Sequence, residues 1–173
     1  MFIYLPVALV FVGIALTAGG ALMLSKVDPK TIAALHFSVA IVLIIGGFIQ
    51  AARGLALADF QLTCGFFLFG FTYLIFAATL NYGLDVKLAG WYGIMVSVFA
   101  AVFGIASLLA GDPGTAYLWL IWAFLWGWMF VEYVLPVKTP PTLFPIMLVI
   151  GGIISAFVPG ILVFLDKWAA LWG

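Results

Sequence analysis

His36, Cys64, Glu132 and Ser155 lie within apolar stretches of this 173-residue sequence and carry the chemistry of a nucleophile, a base or a metal ligand. Covalent catalysis needs a nucleophile and a base within hydrogen-bond reach of each other. His36, Cys64 and Ser155 fall on different expected helices with no motif linking them, so an intramembrane enzyme has no credible reaction centre. A single cysteine forms no internal disulfide, and one histidine supplies neither a multi-histidine metal cage nor two haem ligands, so no cofactor and no metal are expected. Cys64 reads as a small apolar packer. Glu132 is the one carboxylate inside an apolar run, and intramembrane acids are functional candidates by default. It stands three residues from the end of its run and six before Lys138, which favours an interfacial, partly hydrated or paired carboxylate. A proton- or cation-coupled transporter working through Glu132 is the competing reading. His36 reads as polar helix packing, with proton sensing as its alternative.

The aromatic residues are more informative. Trp119, Trp122 and Trp126 are spaced i, i+3, i+7 and share one helix face; Phe66, Phe69 and Tyr73 repeat that periodicity, as do Leu5, Leu9, Val12 and Leu16. With span centres near Gly13, Phe71 and Leu125, the pairs Val12/Leu16, Phe69/Tyr73 and Trp122/Trp126 lie within about 5 Å of one depth at about 1.5 Å per residue. The first, third and fifth helices could therefore build one aromatic constriction. Such a slot resists ions, which shed hydration at high cost, and lets flat neutral amides slide against rings and hydrogen-bond to a phenol or an indole N–H. Tight aromatic core packing explains the same stripes.

The elements that position these residues follow from composition. The chain is 68% apolar and 7% charged, far below the roughly 25% charge of a soluble domain, and is an integral membrane protein. Zero net charge and the absence of a basic run exclude nucleic acid as a partner. No basic residue precedes Lys26, so the apolar start lacks the charged flank of a cleavable signal and is expected to stay. Spans of about 20 residues are expected at 2–25, 31–52, 60–82, 88–110, 115–135 and 143–165, six helices in one all-α domain over 1–173. The first, third and fifth loops hold Lys26, Lys30, Lys87 and Lys138 against Arg53 and Lys167 on the opposite side, which makes those loops cytoplasmic and both termini external. Val27-Asp28-Pro29-Lys30, Leu84-Asp85-Val86-Lys87 and Leu135-Pro136-Val137-Lys138 suggest a threefold two-helix repeat over 1–52, 60–110 and 115–166, although short cytoplasmic turns converge on such residues anyway. Gly13, Ala15, Gly19, Gly20, Gly46, Gly47, Gly151, Gly152 and Ser155 read as close-packing positions, and Pro159 as a kink in the last helix.

The strings Lys26-Val-Asp-Pro-Lys30, Leu68-Phe-Gly-Phe-Thr-Tyr-Leu74 and Gly83-Leu-Asp85 with Trp91-Tyr92 resemble the AmiS/UreI family of urea and short-chain amide channels. Trp119, Trp122, Trp126, Phe130, Glu132 and Pro159 extend the resemblance through nearly the whole chain. The resemblance implies three two-helix hairpins twisted into a protomer with its own pore, and six protomers ringed around a lipid plug. It implies a filter at Val12, Leu16, Phe69, Tyr73, Trp119, Trp122, Leu125 and Trp126, and passive supply of urea or small aliphatic amides to a cytoplasmic urease or amidase across the bacterial inner membrane. The acid-gated member of that family has a glutamate in its last helix where Gly151 stands here, a longer second loop, and external histidines that this chain lacks. Acid gating is therefore not expected.

Overall fold

The computed structural model describes residues 4–172; Met1, Phe2 and Ile3, at the start of the expected domain and first span, and Gly173 lie outside the described residues. Six helices long and apolar enough to cross a membrane run α1 Leu5–Leu24, α2 Pro29–Arg53, α3 Leu57–Tyr82, α4 Lys87–Leu109, α5 Pro113–Tyr133 and α6 Leu143–Phe164. A short 3₁₀ turn, Ala169–Leu171, follows. The all-helical, six-span architecture is the one expected, with boundaries moved by a few residues for local reasons. Proline fits the first turn of a helix, where its missing N–H is no loss. The α2 helix therefore starts at Pro29 with the Asp28 carboxylate accepting from Lys30 N at 2.8 Å, and α5 starts at Pro113 with Asp112 accepting from Thr115 N at 2.9 Å. Asp85 accepts from Lys87 N at 2.9 Å, so the first and third loops close with one and the same turn, whereas the fifth loop has no aspartate to make it.

Lateral packing follows a pattern that the loops do not announce. The most extensive pairings join α2 to α3, α4 to α5, and α1 to α6, while α1–α2, α3–α4 and α5–α6 touch along less of their length. Each odd helix is thus backed by an even one. Glycines bring the chain-end pair together: a Cβ on Gly13 would lie 2.6 Å from Phe157 Cα, and one on Gly20 2.6 Å from the Pro145 carbonyl. With lipid as apolar as leucine, such close backbone approach and its dispersion contacts are what hold the pair.

Pro159 acts differently from a simple kink. Residues Ile153–Phe157 form a π-helical turn in which Val158 N–H bonds to the Ile153 carbonyl. One position on, the donor that would meet the Ile154 carbonyl is residue 159, and proline has none. The Tyr117 hydroxyl of α5 donates to that carbonyl at 3.1 Å instead. The widened turn also carries Ser155, which is fully buried against α5.

Candidate functional site

All eight residues of the expected filter are buried within the single chain, each no more than 6% exposed. Phe69 is the hub. Its ring centroid lies 5.9 Å from Trp119, 4.9 Å from Trp122 and 5.2 Å from Trp126, and Trp126 in turn meets Tyr73 edge-on at 6.3 Å. The α3 and α5 stripes therefore come together as their common depth requires.

Two cavities lie on either side of this cluster. One, of about 220 Å³, is bordered by Val12, Phe69, Trp119 and Trp122 and reaches Gln61, Asp112 and Thr115 at the end of the bundle where the second and fourth loops lie. The other, of about 30 Å³, is bordered by Leu16, Tyr73, Leu125 and Trp126. Val12 and Leu16, Phe69 and Tyr73, Trp122 and Trp126 are each one helical turn apart, so the passage from the first cavity to the second advances one turn along α1, α3 and α5 together. Two stacked layers of bulky side chains, drawn from three helices, separate the two spaces.

The layers are held from behind by hydroxyls. Trp122 donates its indole N–H to Ser155 Oγ at 3.1 Å, and Ser155 donates to the Gly151 carbonyl at 2.6 Å. Trp126 donates to Thr72 Oγ1 at 3.0 Å, and Thr72 donates to the Leu68 carbonyl at 2.8 Å. These chains narrow one expectation and add to another. The indole N–H groups of Trp122 and Trp126 are already engaged and are not free to serve a passing solute. Ser155, expected as a close-packing position, is fully buried and also holds the Trp122 indole. Tyr73 is the opposite case: its hydroxyl is buried and has no partner among the described residues. Gly151 faces Leu125, since a Cβ there would sit 2.6 Å from Leu125 Cδ1; the leucine occupies the space a side chain at 151 would need.

Glu132 stands apart from both cavities, in the last turn of α5, half-buried and accepting from the Thr139 hydroxyl at 2.5 Å. Cys64 is half-buried on α3 and lines neither cavity. His36, by contrast, borders the smaller cavity although it comes from the outer helix α2. Neither its helix periodicity nor its depth signalled that placement; the cue lay in Gly19 on another helix.

Comparison with known proteins decides what this arrangement belongs to. Residues 4–167 match the AmiS/UreI family of transporters. The chain belongs to the AmiS/UreI family. It is 31% identical to the acid-activated urea channel of Helicobacter pylori (strain ATCC 700392 / 26695), over 95% of this chain and 99% of that protein. A protein of Mycolicibacterium smegmatis described as a candidate transporter of amidate substrates is 29% identical over 94% of this chain and 77% of its own length. Among solved structures, the crystal structure of the H. pylori urea channel matches with a TM-score of 0.83 at 30% identity, covering 95% of this chain and 99% of that one. The cryo-EM structure of that channel in its closed state matches at 0.84 with the same identity and coverage. This AmiS/UreI member is accordingly a multi-pass membrane transport protein, and the relatives it resembles are channels and transporters.

Proposed function

We propose that each copy of this chain is a passive pore for urea and small aliphatic amides such as acetamide, with its filter at Val12, Leu16, Phe69, Tyr73, Trp119, Trp122, Leu125 and Trp126. The observation that carries the reading is the pair of cavities divided by two side-chain layers within one protomer. A dry aromatic slot discriminates by shape and by the cost of dehydration, and a flat amide loses less than an ion on entering it. The urea channel and amidate transporter relatives support that solute class.

The finer reading includes three two-helix hairpins, a homohexamer around a central lipid plug, both termini outside the bacterial cytoplasmic membrane, and delivery of solute to a cytoplasmic urease or amidase. Acid gating is not part of it. Coupled transport through Glu132 would instead require solute flux to follow a proton gradient, and Glu132 lies away from both cavities. Stopped-flow light scattering on proteoliposomes tests the proposal. Fast urea and acetamide entry with slow glycerol, independent of a proton gradient, is expected. Solutes moving no faster than in empty vesicles would return the aromatic stripes to core packing, and gradient-dependent flux lost in Glu132→Gln would favour the coupled transporter.

A further inference from the structure

The smaller cavity is bordered by two residues whose polar atoms no other described residue uses. His36 is 4% exposed, and neither of its ring nitrogens has a hydrogen-bond partner among the described residues; the Tyr73 hydroxyl beside it has none either. The two rings stack, 5.5 Å between centroids and 17° between planes, and Phe76 closes on the imidazole edge-on at 5.0 Å. Buried polar groups are almost always paired, and a histidine retained for packing alone would be better replaced by leucine or phenylalanine. Three unpaired polar atoms on two residues that border one space call for something that enters that space.

The route by which an outer-helix residue reaches the lumen is visible in α1. A Cβ on Gly19 would fall 2.9 Å from His36 Nε2 and 3.1 Å from Cε1. The absent side chain is the window through which the imidazole passes between helices. No hydrogen bond fixes the ring in that window, so it can reorient toward a solute without first breaking one. The space itself, about 30 Å³, equals about one water's share of liquid volume, so a larger solute must push its surrounding side chains aside and take up their contacts.

Resting on the pore reading above, we infer that His36 and Tyr73 form a hydrogen-bonding station for a primary amide group on the inner side of the aromatic layers. A neutral imidazole offers one donor and one acceptor, and a phenol offers the same. A primary amide or urea presents the complement, a carbonyl acceptor and an N–H₂ donor. At this point the solute reaches the inner face of the second layer, to which Tyr73 itself belongs, having met Trp122 and Trp126, which keep their N–H groups for Ser155 and Thr72. The station therefore supplies the first side-chain hydrogen bonds after the dry slot, and lowers the barrier for amides without helping a solute that lacks their donor–acceptor pattern.

The test compares proteoliposomes of wild type with His36→Leu, His36→Phe and His36→Asn, measuring urea and acetamide permeability against water and glycerol in the same vesicles. Leu and Phe variants are expected to lose about fivefold or more of urea and acetamide permeability with water no slower, as one hydrogen-bonding partner is removed. Phe keeps a stacking ring on Tyr73, so it separates loss of the nitrogens from loss of the fold if Leu misfolds. Asn, which retains a donor and an acceptor, is expected to stay within about twofold of wild type. Unchanged amide-to-water ratios in Leu and Phe, or Asn as impaired as Phe, would overturn the station while leaving the pore intact. Wild-type vesicles no faster than empty ones would sink the pore reading itself, and the station with it.

Discussion

The proposed filter discriminates only if its tryptophan rings stay where they are, and two hydroxyls hold Trp122 and Trp126 in place. Thr72 and Ser155 each hold an indole N–H that would otherwise be buried without a partner. Thr72→Val and Ser155→Ala should each lower stability by about 1–2 kcal/mol, the cost of an orphaned buried donor moderated by the membrane reference state. A lowered Tm in detergent measures this, and a smaller urea-to-glycerol permeability ratio would accompany it as the ring gains freedom. Unchanged Tm and ratio in both variants would mean that packing alone fixes the rings. Trp126→Ala removes the ring outright and should raise glycerol entry relative to urea; equal relative fluxes would take Trp126 out of the filter. At this scale the sequence was legible where one helix carries a periodic stripe, as with Phe69/Tyr73 and Trp122/Trp126. It was not legible where a residue acts through a gap in a neighbour. His36 reaches the smaller cavity beside Gly19, and Leu125 fills the space in front of Gly151; no spacing within α2 or α5 encodes a partner on another helix.

Among the elements, α6 is the one whose shape has to be explained by two helices at once. Its π-turn exists because Pro159 withholds a donor, and the Ile154 carbonyl left over is met by Tyr117 from α5. That coupling makes a double-mutant prediction. Tyr117→Phe strips the carbonyl of its partner and should cost about 1 kcal/mol or more. In a Pro159→Ala background the new N–H can serve the same carbonyl, so the added cost of Tyr117→Phe should fall toward zero. A cycle in thermal or denaturant unfolding reads the coupling, and strictly additive effects would show that the hydroxyl and the proline do not share the carbonyl. The sequence indicated a disturbance at Pro159 but not its form, because a kink and a π-turn differ only in which carbonyl goes without a donor. The span boundaries were legible to within a few residues, since charges, Asp caps and first-turn prolines mark them directly. Which spans lie side by side was not, because lipid supplies no amphipathic signal and the glycine contacts of α1 with α6 join opposite ends of the chain.

For the molecule as a whole, the arrangement separates the helices that would line the proposed pore from those that back them. Helices α1, α3 and α5 carry the layered side chains, and α6, α2 and α4 back them in that order. Charge is confined to the two ends. At the end bearing the second and fourth loops stand Arg53, Asp59, Asp112, Asp166 and Lys167, with no histidine among them. Asp59 and Asp112 are committed to backbone N–H groups, Asp59 accepting from Leu55 and Ala56 at 3.0 Å each. His36, the one histidine of the sequence, lies on the far side of both aromatic layers from this end. No histidine stands among the described residues of that end, so no imidazole there can bias one conformation over another as that side is acidified. Urea permeability of proteoliposomes should then differ by less than about twofold between outside pH 5 and 7.5. A steep rise on acidification would require a titrating group in contact with the layers themselves, and abolition of that rise in His36→Asn would identify the imidazole as that group, reached by protons through the pore.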